Sequence, residues 1–244
     1  MRPLSAAQLL DAWERGLAES ACRRSIPVLA VAYPDYSPAA LAELSIGERD
    51  RRLLTLRQWT FGSQLASVAN CSNCGEDLEW TVDAADLQFE IPVESSTDFT
   101  ADVDGYYVSF RLPNTSDLDL IGGCKDAASA RLFLLERCIS SVSFGGEEVS
   151  PAVLPVSVTN EVVRRMAEAD PQGDMEVELS CPSCGQHWQA LFDIESFFWS
   201  EISAWARRIL SEVHVLARAY GWSETQILNL SAWRRQVYLN LVGA

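Results

Sequence analysis

Apolar residues recur along this chain in two periods, and each change of period marks an element. Leu9, Leu10, Trp13 and Leu17 share a face at helical spacing, and Ser5 with Gln8 forms a capping box, so a helix is expected from Ser5 to Glu19. A short helical segment at Ile26 to Val31 ends before Pro34, and a second capping box, Ser45 with Glu48, opens a helix that continues to Trp59. The period then falls to two. Leu65 to Ala69 leads into a hairpin whose outgoing arm alternates Leu78, Trp80 and Val82, and Glu176 to Leu179 leads into another with Trp188, Ala190 and Phe192. Between them, Phe99 to Val103 and Tyr106 to Leu112 flank an Asp104-Gly105 turn, a strong hairpin signal. Helices are expected at Ala127 to Ile139, with Leu132, Leu135 and Ile139 along one stripe, and at Asn160 to Ala169. The longest helix should cover Glu195 to Tyr220, with Phe198, Ile202, Trp205, Ile209, Val213, Leu216 and Tyr220 as its spine. Gly221 caps it, Ser223 with Gln226 starts a short helix and Ser231 a last one.

The two hairpins share more than a period. Each turns at a C-x-x-C-G sequence, Cys71-Ser-Asn-Cys74-Gly75 and Cys181-Pro-Ser-Cys184-Gly185. Leu78, Glu79 and Asp83 follow the first pair at the offsets at which Trp188, Gln189 and Asp193 follow the second. Two sulfurs on one tight turn reach a common ion, and the glycine tolerates the left-handed backbone such a turn needs. Cys71, Cys74, Cys181 and Cys184 are therefore expected to hold one zinc ion in a closed four-thiolate ribbon. Four thiolates leave no position open for water, so that zinc is structural. A thioredoxin-like dithiol at Cys181 and Cys184 is the redox alternative, and the second pair and the missing βαβ pattern speak against it.

These elements give an α+β fold class, with helical N- and C-terminal parts packed around a four-Cys zinc ribbon and an inserted β-hairpin/helix segment. The expected division is an N-terminal helical part at 1–62, a first ribbon hairpin at 63–87, the inserted α+β segment at 88–174, a second ribbon hairpin at 175–194 and a C-terminal helical part at 195–244.

Composition narrows the function. The formal charge of −15 repels a polyanion, and the stretch from Glu76 to Asp126 sets only Arg111 and Lys125 against thirteen carboxylates, so nucleic acid is disfavoured and no nucleic-acid partner is expected. No apolar run reaches the ~20 residues that span a bilayer, and the N-terminus lacks a signal-peptide core; a cytoplasmic location without membrane contact follows. Cys22, Cys124 and Cys138 read as buried small apolar residues. The carboxylates Asp117 and Asp119 read as helix-start residues rather than ligands. With two histidines, His187 and His214, and no recognised nucleophile, phosphate-loop or metalloprotease motif, the chain offers no catalytic residues and no small-molecule substrate site. Trp222, Trp233, Arg234 and Arg235 near the C-terminus are candidate partner-binding residues, since interfaces favour Trp and Arg.

Several stretches together resemble a known family. They are Leu44 to Arg57 (LSIGERDRRLLTLR), both knuckles, Gly105 to Asp119 (GYYVSFRLPNTSDLD), Ala167 to Asp170, and His214 to Leu239. The chain is similar to the zinc-ribbon-containing proteins encoded with phage-like contractile injection systems, which themselves resemble baseplate hub assembly proteins of contractile-tailed phages. The resemblance implies a non-enzymatic assembly factor or structural component of a baseplate. It implies hub, spike or tube proteins as partners, and incorporation in the assembled particle if the protein is a permanent component. A zinc-ribbon adaptor in transcription or RNA handling is the alternative, and it requires a basic face.

Overall fold

The computed structural model describes residues 2–89 and 98–243. Residues 90–97, part of the expected inserted segment, lie outside the described residues. The elements run α1 (Ala6–Gly16), α2 (Ile26–Ala32), α3 (Pro38–Ala42), α4 (Ile46–Phe61), β1 (Gln64–Asn70) and β2 (Asp77–Asp83). Then come β3 (Phe99–Val103), β4 (Tyr106–Phe110), α5 (Thr115–Ile121), α6 (Ala127–Cys138), β5 (Ile139–Phe144), β6 (Glu147–Glu148) and α7 (Val156–Ala169). The chain closes with β7 (Glu176–Ser180), β8 (His187–Leu191), α8 (Ile194–Tyr220), α9 (Glu224–Leu228) and α10 (Ala232–Val242). The fold class is α+β. Two compact units form, one from Met1–Pro38 with Ile194–Ala244, the other from Ala39–Asp193.

The first unit is helical. Ser5 and Gln8 make the expected capping box, but α1 ends at Gly16, so Leu17 falls beyond it and is exposed. On α8 the residues Phe198, Ile202, Ala206, Ile209, Val213 and Leu216 are buried at spacings of three and four, and Leu10, Ile227 and Leu228 pack against the second half of that stripe. Tyr220, expected at the end of the spine, instead stacks on Trp222 at a centroid distance of 4.6 Å, with Tyr238 edge-on to both. Glu195, at the start of α8, is buried and accepts hydrogen bonds from the Ser25 amide and hydroxyl.

Among the described residues the second unit holds three antiparallel sheets: β1-β2, β7-β8, and a four-stranded sheet in the order β3-β4-β5-β6. The last two strands of that sheet were not expected. Ile139, assigned to the stripe of a helix, begins β5, and its supposed stripe partner Leu132 is 61% exposed. The physical reason is the Gly145-Gly146 turn: with φ of 61° and 90° it reverses the chain so that Ser143 and Phe144 pair with Glu148 and Glu147. Strand pairing with β4 then wins over helix continuation. Ala101, Val108, Phe110, Leu135, Ile139, Val142, Val158 and Val162 form the core of this part, between the sheet and helices α6 and α7.

The start of α4 ties distant segments together. The Ser45 hydroxyl accepts from the Glu48 amide, as its capping role requires, while the Gly47 amide donates to the Asp170 carboxylate at 2.8 Å. The Ile46 amide donates to the Pro113 carbonyl, and Glu43 accepts from the Asn114 side chain. Gln172, fully buried, donates to the Leu87 carbonyl and accepts from the Phe89 amide. On the same helix Arg49 and Asp50 form a buried pair at 2.7 Å, and the Arg49 guanidinium also reaches the Thr115 hydroxyl. Asp117, fully buried, accepts from both Arg111 and Arg137, and its carboxyl is held below the usual 3.8: burial opposes ionisation, and the two guanidinium bonds outweigh it.

Two outcomes test this node. A Cβ at Gly47 would collide with the Asp170 carboxyl and lie 2.9 Å from the Gly173 amide nitrogen. Gly47→Ala should therefore destabilise the second unit by about 1–3 kcal/mol in urea unfolding, whereas a neutral variant would show that the turn yields freely. Burial pushes the Asp50 carboxyl up from 3.8 to about 6 against the pull of Arg49. A raised folded pKa means stability that is full below the unfolded value and is lost as pH rises through about 6. Relative to the natural chain, Asp50→Asn should thus gain stability as pH rises from about 5 to about 7; parallel curves would mean that Asp50 ionises normally.

Candidate metal centre

The two knuckles are built alike, and their local sequence explains why. In each, the amide of the glycine after the second cysteine donates to the carbonyl of the first cysteine, Gly75 to Cys71 at 2.8 Å and Gly185 to Cys181 at 2.9 Å. The first cysteine closes the turn in the other direction, Cys71 to the Glu76 carbonyl and Cys181 to the Gln186 carbonyl. Gly75 and Gly185 have φ of 76° and 72°, a conformation that a side chain would strain. Flanking strands fix each turn in register, with Asn70 opposite Asp77 and Ser180 opposite His187.

Trp80 of the first hairpin meets Phe192, just after the second, edge to face at a centroid distance of 5.9 Å. That contact accompanies the convergence of the four sulfurs, which all lie within 4.8 Å of one another. The pairing is reciprocal: Cys71 Sγ is 3.6 Å from Cys184 Sγ and Cys74 Sγ is 3.6 Å from Cys181 Sγ, so the buried cysteine of each knuckle faces the exposed one of the other. These separations are too long for disulfides, whose sulfurs lie about 2 Å apart. They match the edge of about 3.8 Å of a tetrahedron whose centre is about 2.3 Å from each thiolate.

Electrostatics adds to the geometry. The Cys184 thiol is lowered to about 6, first by a hydrogen bond from the Asn73 side chain of the opposite knuckle and then by the Gln186 amide. Cys74 moves the other way, to about 12: the Glu76 amide favours its thiolate, but hydrogen bonding with the Cys181 and Cys184 sulfurs outweighs it. Sulfurs this close lose their protons one after another, because each new thiolate meets the charge of the last. A central cation removes that repulsion, and the amides aimed at the outer sulfurs support the charge that remains. The donor set can therefore hold a metal ion with all four positions filled by protein.

The other residues singled out from sequence are not part of the four-sulfur cluster. His187 and His214 are exposed on β8 and α8. Asp117 is an ion-pair anchor within a capping box with Asn114, as its place near a helix start implies. Trp222 packs with Tyr220 and Tyr238; Arg235 is buried and bonds Glu212 at 3.0 Å and the Leu230 carbonyl; Trp233 is 75% exposed, and Arg234 is exposed beside it. Asn73 and the amides of Glu76 and Gln186 escaped the sequence reading. The duplicated x-Gly-x spacing after each C-x-x-C was the signal for the amides, whereas Asn73 acts across the two knuckles and has no local signature.

No helix among the described residues is long and apolar enough to cross a membrane. Residues 34–199 match the family model described as T4 bacteriophage base plate protein. This is more than half of the chain and takes in both knuckles and the four-stranded sheet. No curated protein and no solved structure matches the chain.

Titration of the reduced, metal-stripped protein with a thiolate-seeking divalent ion should saturate at about one equivalent per chain. Cys74→Ser and Cys184→Ser should each weaken binding by at least about ten-fold while the β3 to β6 sheet stays folded; unchanged uptake would remove the cluster as a metal centre.

Proposed function

Because the chain belongs to the T4 bacteriophage base plate protein family, we propose that it is a non-enzymatic assembly factor or structural component of the baseplate of a contractile phage-tail-like particle. The family match carries this reading. Its likeness to ribbon-bearing proteins of contractile injection systems makes hub, spike or tube proteins the partners in this proposal.

Zinc is the ion proposed for the cluster, held by Cys71, Cys74, Cys181 and Cys184. Four sulfur donors in a small tetrahedral space suit zinc, and with no open position the ion supplies cross-linking rather than chemistry. The chain's own residues do the rest: β1, β2, β7 and β8 carry the knuckles, and the Gly47–Asp170 contact braces α4 against the turn that precedes β7. Among the candidate contact residues, the exposed Trp233 and Arg234 are the ones assigned to a partner in this proposal. Trp233, Val237 and Leu241 recur every fourth residue along α10, all of them exposed. Trp222 and Arg235 act from beneath by fixing that helix through Tyr238 and Glu212.

Tagged protein recovered gently from its own cells should bring baseplate, tube, spike or sheath proteins with it. Recovery of polymerase subunits or ribonucleoprotein in their place would overturn the reading. Replacing Cys71 and Cys181 together by Ser should abolish particle assembly. Trp233→Ala should lower recovery of the partner with melting unchanged, since little of its ring is buried.

A further inference from the structure

The formal charge of the chain is very unevenly placed. The unit formed by Met1–Pro38 and Ile194–Ala244 has nine arginines against eight carboxylates, whereas Ala39–Asp193 has ten basic residues against twenty-six acidic ones. An acidic polypeptide is repelled by the second unit and can approach the first. The first unit also has a cleft of about 360 Å³, lined on one side by the α8 face Ser196, Trp199, Ser200, Ser203 and Arg207, and on the other by Ala21 and Arg24.

The walls of this cleft carry two guanidinium groups and three serine hydroxyls, and no carboxylate. Arg24 lies over the Trp199 ring at 5.9 Å, which orients its plane, and its Nε–H is buried with no hydrogen-bond partner. A buried guanidinium N–H left unpaired costs free energy that an acceptor would recover. Trp199 is itself fixed, because Gly16 packs against its ring so closely that a Cβ there would lie 2.7 Å from the Arg24 carbonyl and strike the indole. Ser203 accepts from the Trp13 indole N–H at 3.2 Å, which leaves its own hydroxyl proton free to donate. Arg23, next in the chain, is turned away to Glu19. The cleft thus presents guanidinium and hydroxyl donors with no carboxylate among them.

We propose that this cleft is a receptor for a carboxylate side chain of an acidic polypeptide segment, an aspartate or glutamate seated between Arg24 and Arg207. A planar carboxylate offers two acceptors to the edge of an arginine fork, and the Ser200 and Ser203 hydroxyls donate to its remaining lone pairs. The volume suits one acidic side chain with its neighbours. The site deepens the baseplate reading by giving the chemistry of one protein contact, and it rests on that reading only for the identity of the segment's owner.

Calorimetry on the full chain at low salt tests it with three probes: a capped peptide with alternating Glu and Gly, the same peptide with Gln for Glu, and inorganic phosphate. The Glu peptide should bind and the Gln peptide should not. Arg24→Gln, Arg207→Gln and Ser200→Ala should each weaken the Glu peptide, the arginine variants by about ten-fold or more, with melting unchanged for the exposed Arg207 and Ser200. Phosphate binding as tightly as the Glu peptide would overturn the proposal in favour of a free-anion site. Equal binding of both peptides, or of the peptide by natural and Arg207→Gln chains, would also overturn it. If Arg207→Gln fails to bind the peptide and the natural chain still recovers no baseplate protein, the cleft stands and the baseplate reading falls. Peptide indifference with normal baseplate recovery means the reverse.

Discussion

Four sulfurs held within 4.8 Å of one another, from turns more than a hundred residues apart in the chain, set the terms for the unit that contains them. Such a group tolerates one negative charge and resists the next, so its stability as a set of thiolates depends on a cation. Each knuckle contributes one buried and one exposed sulfur, and each buried sulfur faces the exposed sulfur of the other turn. Neither turn alone can close the coordination shell. For an ion held by all four sulfurs, affinity and the joining of the two hairpins would be the same free energy, and everything between Cys74 and Cys181 a loop whose ends that energy fixes.

The same segment is closed a second time without metal. The start of α4, the Pro113–Asn114 turn and the turn at Asp170–Gly173 meet through backbone amides, one carboxylate and the buried Gln172. This arrangement admits no side chain at position 47, because the donor there is an amide approached directly by a carboxylate. The same unit holds the buried pair of Arg49 with Asp50, and the buried Asp117 bound by the half-exposed Arg111 and Arg137. Such pairs add less to stability than their short distances suggest, since burying charge is costly. Their geometry fixes which segments lie side by side, and that specificity is what a four-stranded sheet inserted between two cysteine turns requires.

The sequence revealed what is local or duplicated. The knuckles were legible because every role in them, sulfur, glycine and flanking strand, recurs at fixed offsets, and the capping boxes at Ser5 and Ser223 were legible for the same reason. The stretches that suggested the family resemblance, around Ser45, Asn114 and Asp170, turn out to touch one another. Their partnership was hidden because contacts between residues so far apart in the chain leave no period to read. The β5 and β6 strands were missed for a different reason. Serine-rich, with apolar residues at Ile139 and Val142, β5 fits a helical spacing of three as well as a strand, and only the Gly145-Gly146 turn distinguishes the two. The cleft at Arg24 was also invisible, because its lining comes from the two ends of the sequence.

The composition of the first unit from Met1–Pro38 and Ile194–Ala244 has a consequence during synthesis. A ribosome delivers α1 and α2 early, but the α8 residues against which Leu10 packs emerge only after all of Ala39–Asp193. Through that interval the α1 face that carries Leu10 lacks its α8 cover, and Cys181 and Cys184 emerge only just ahead of α8. The unit with the cysteine cluster can thus close just before the early helices are covered, and those helices depend on the last stretch made, so a stalled or truncated chain should be marked for degradation by its uncovered N-terminal helices even when its cysteine cluster is complete.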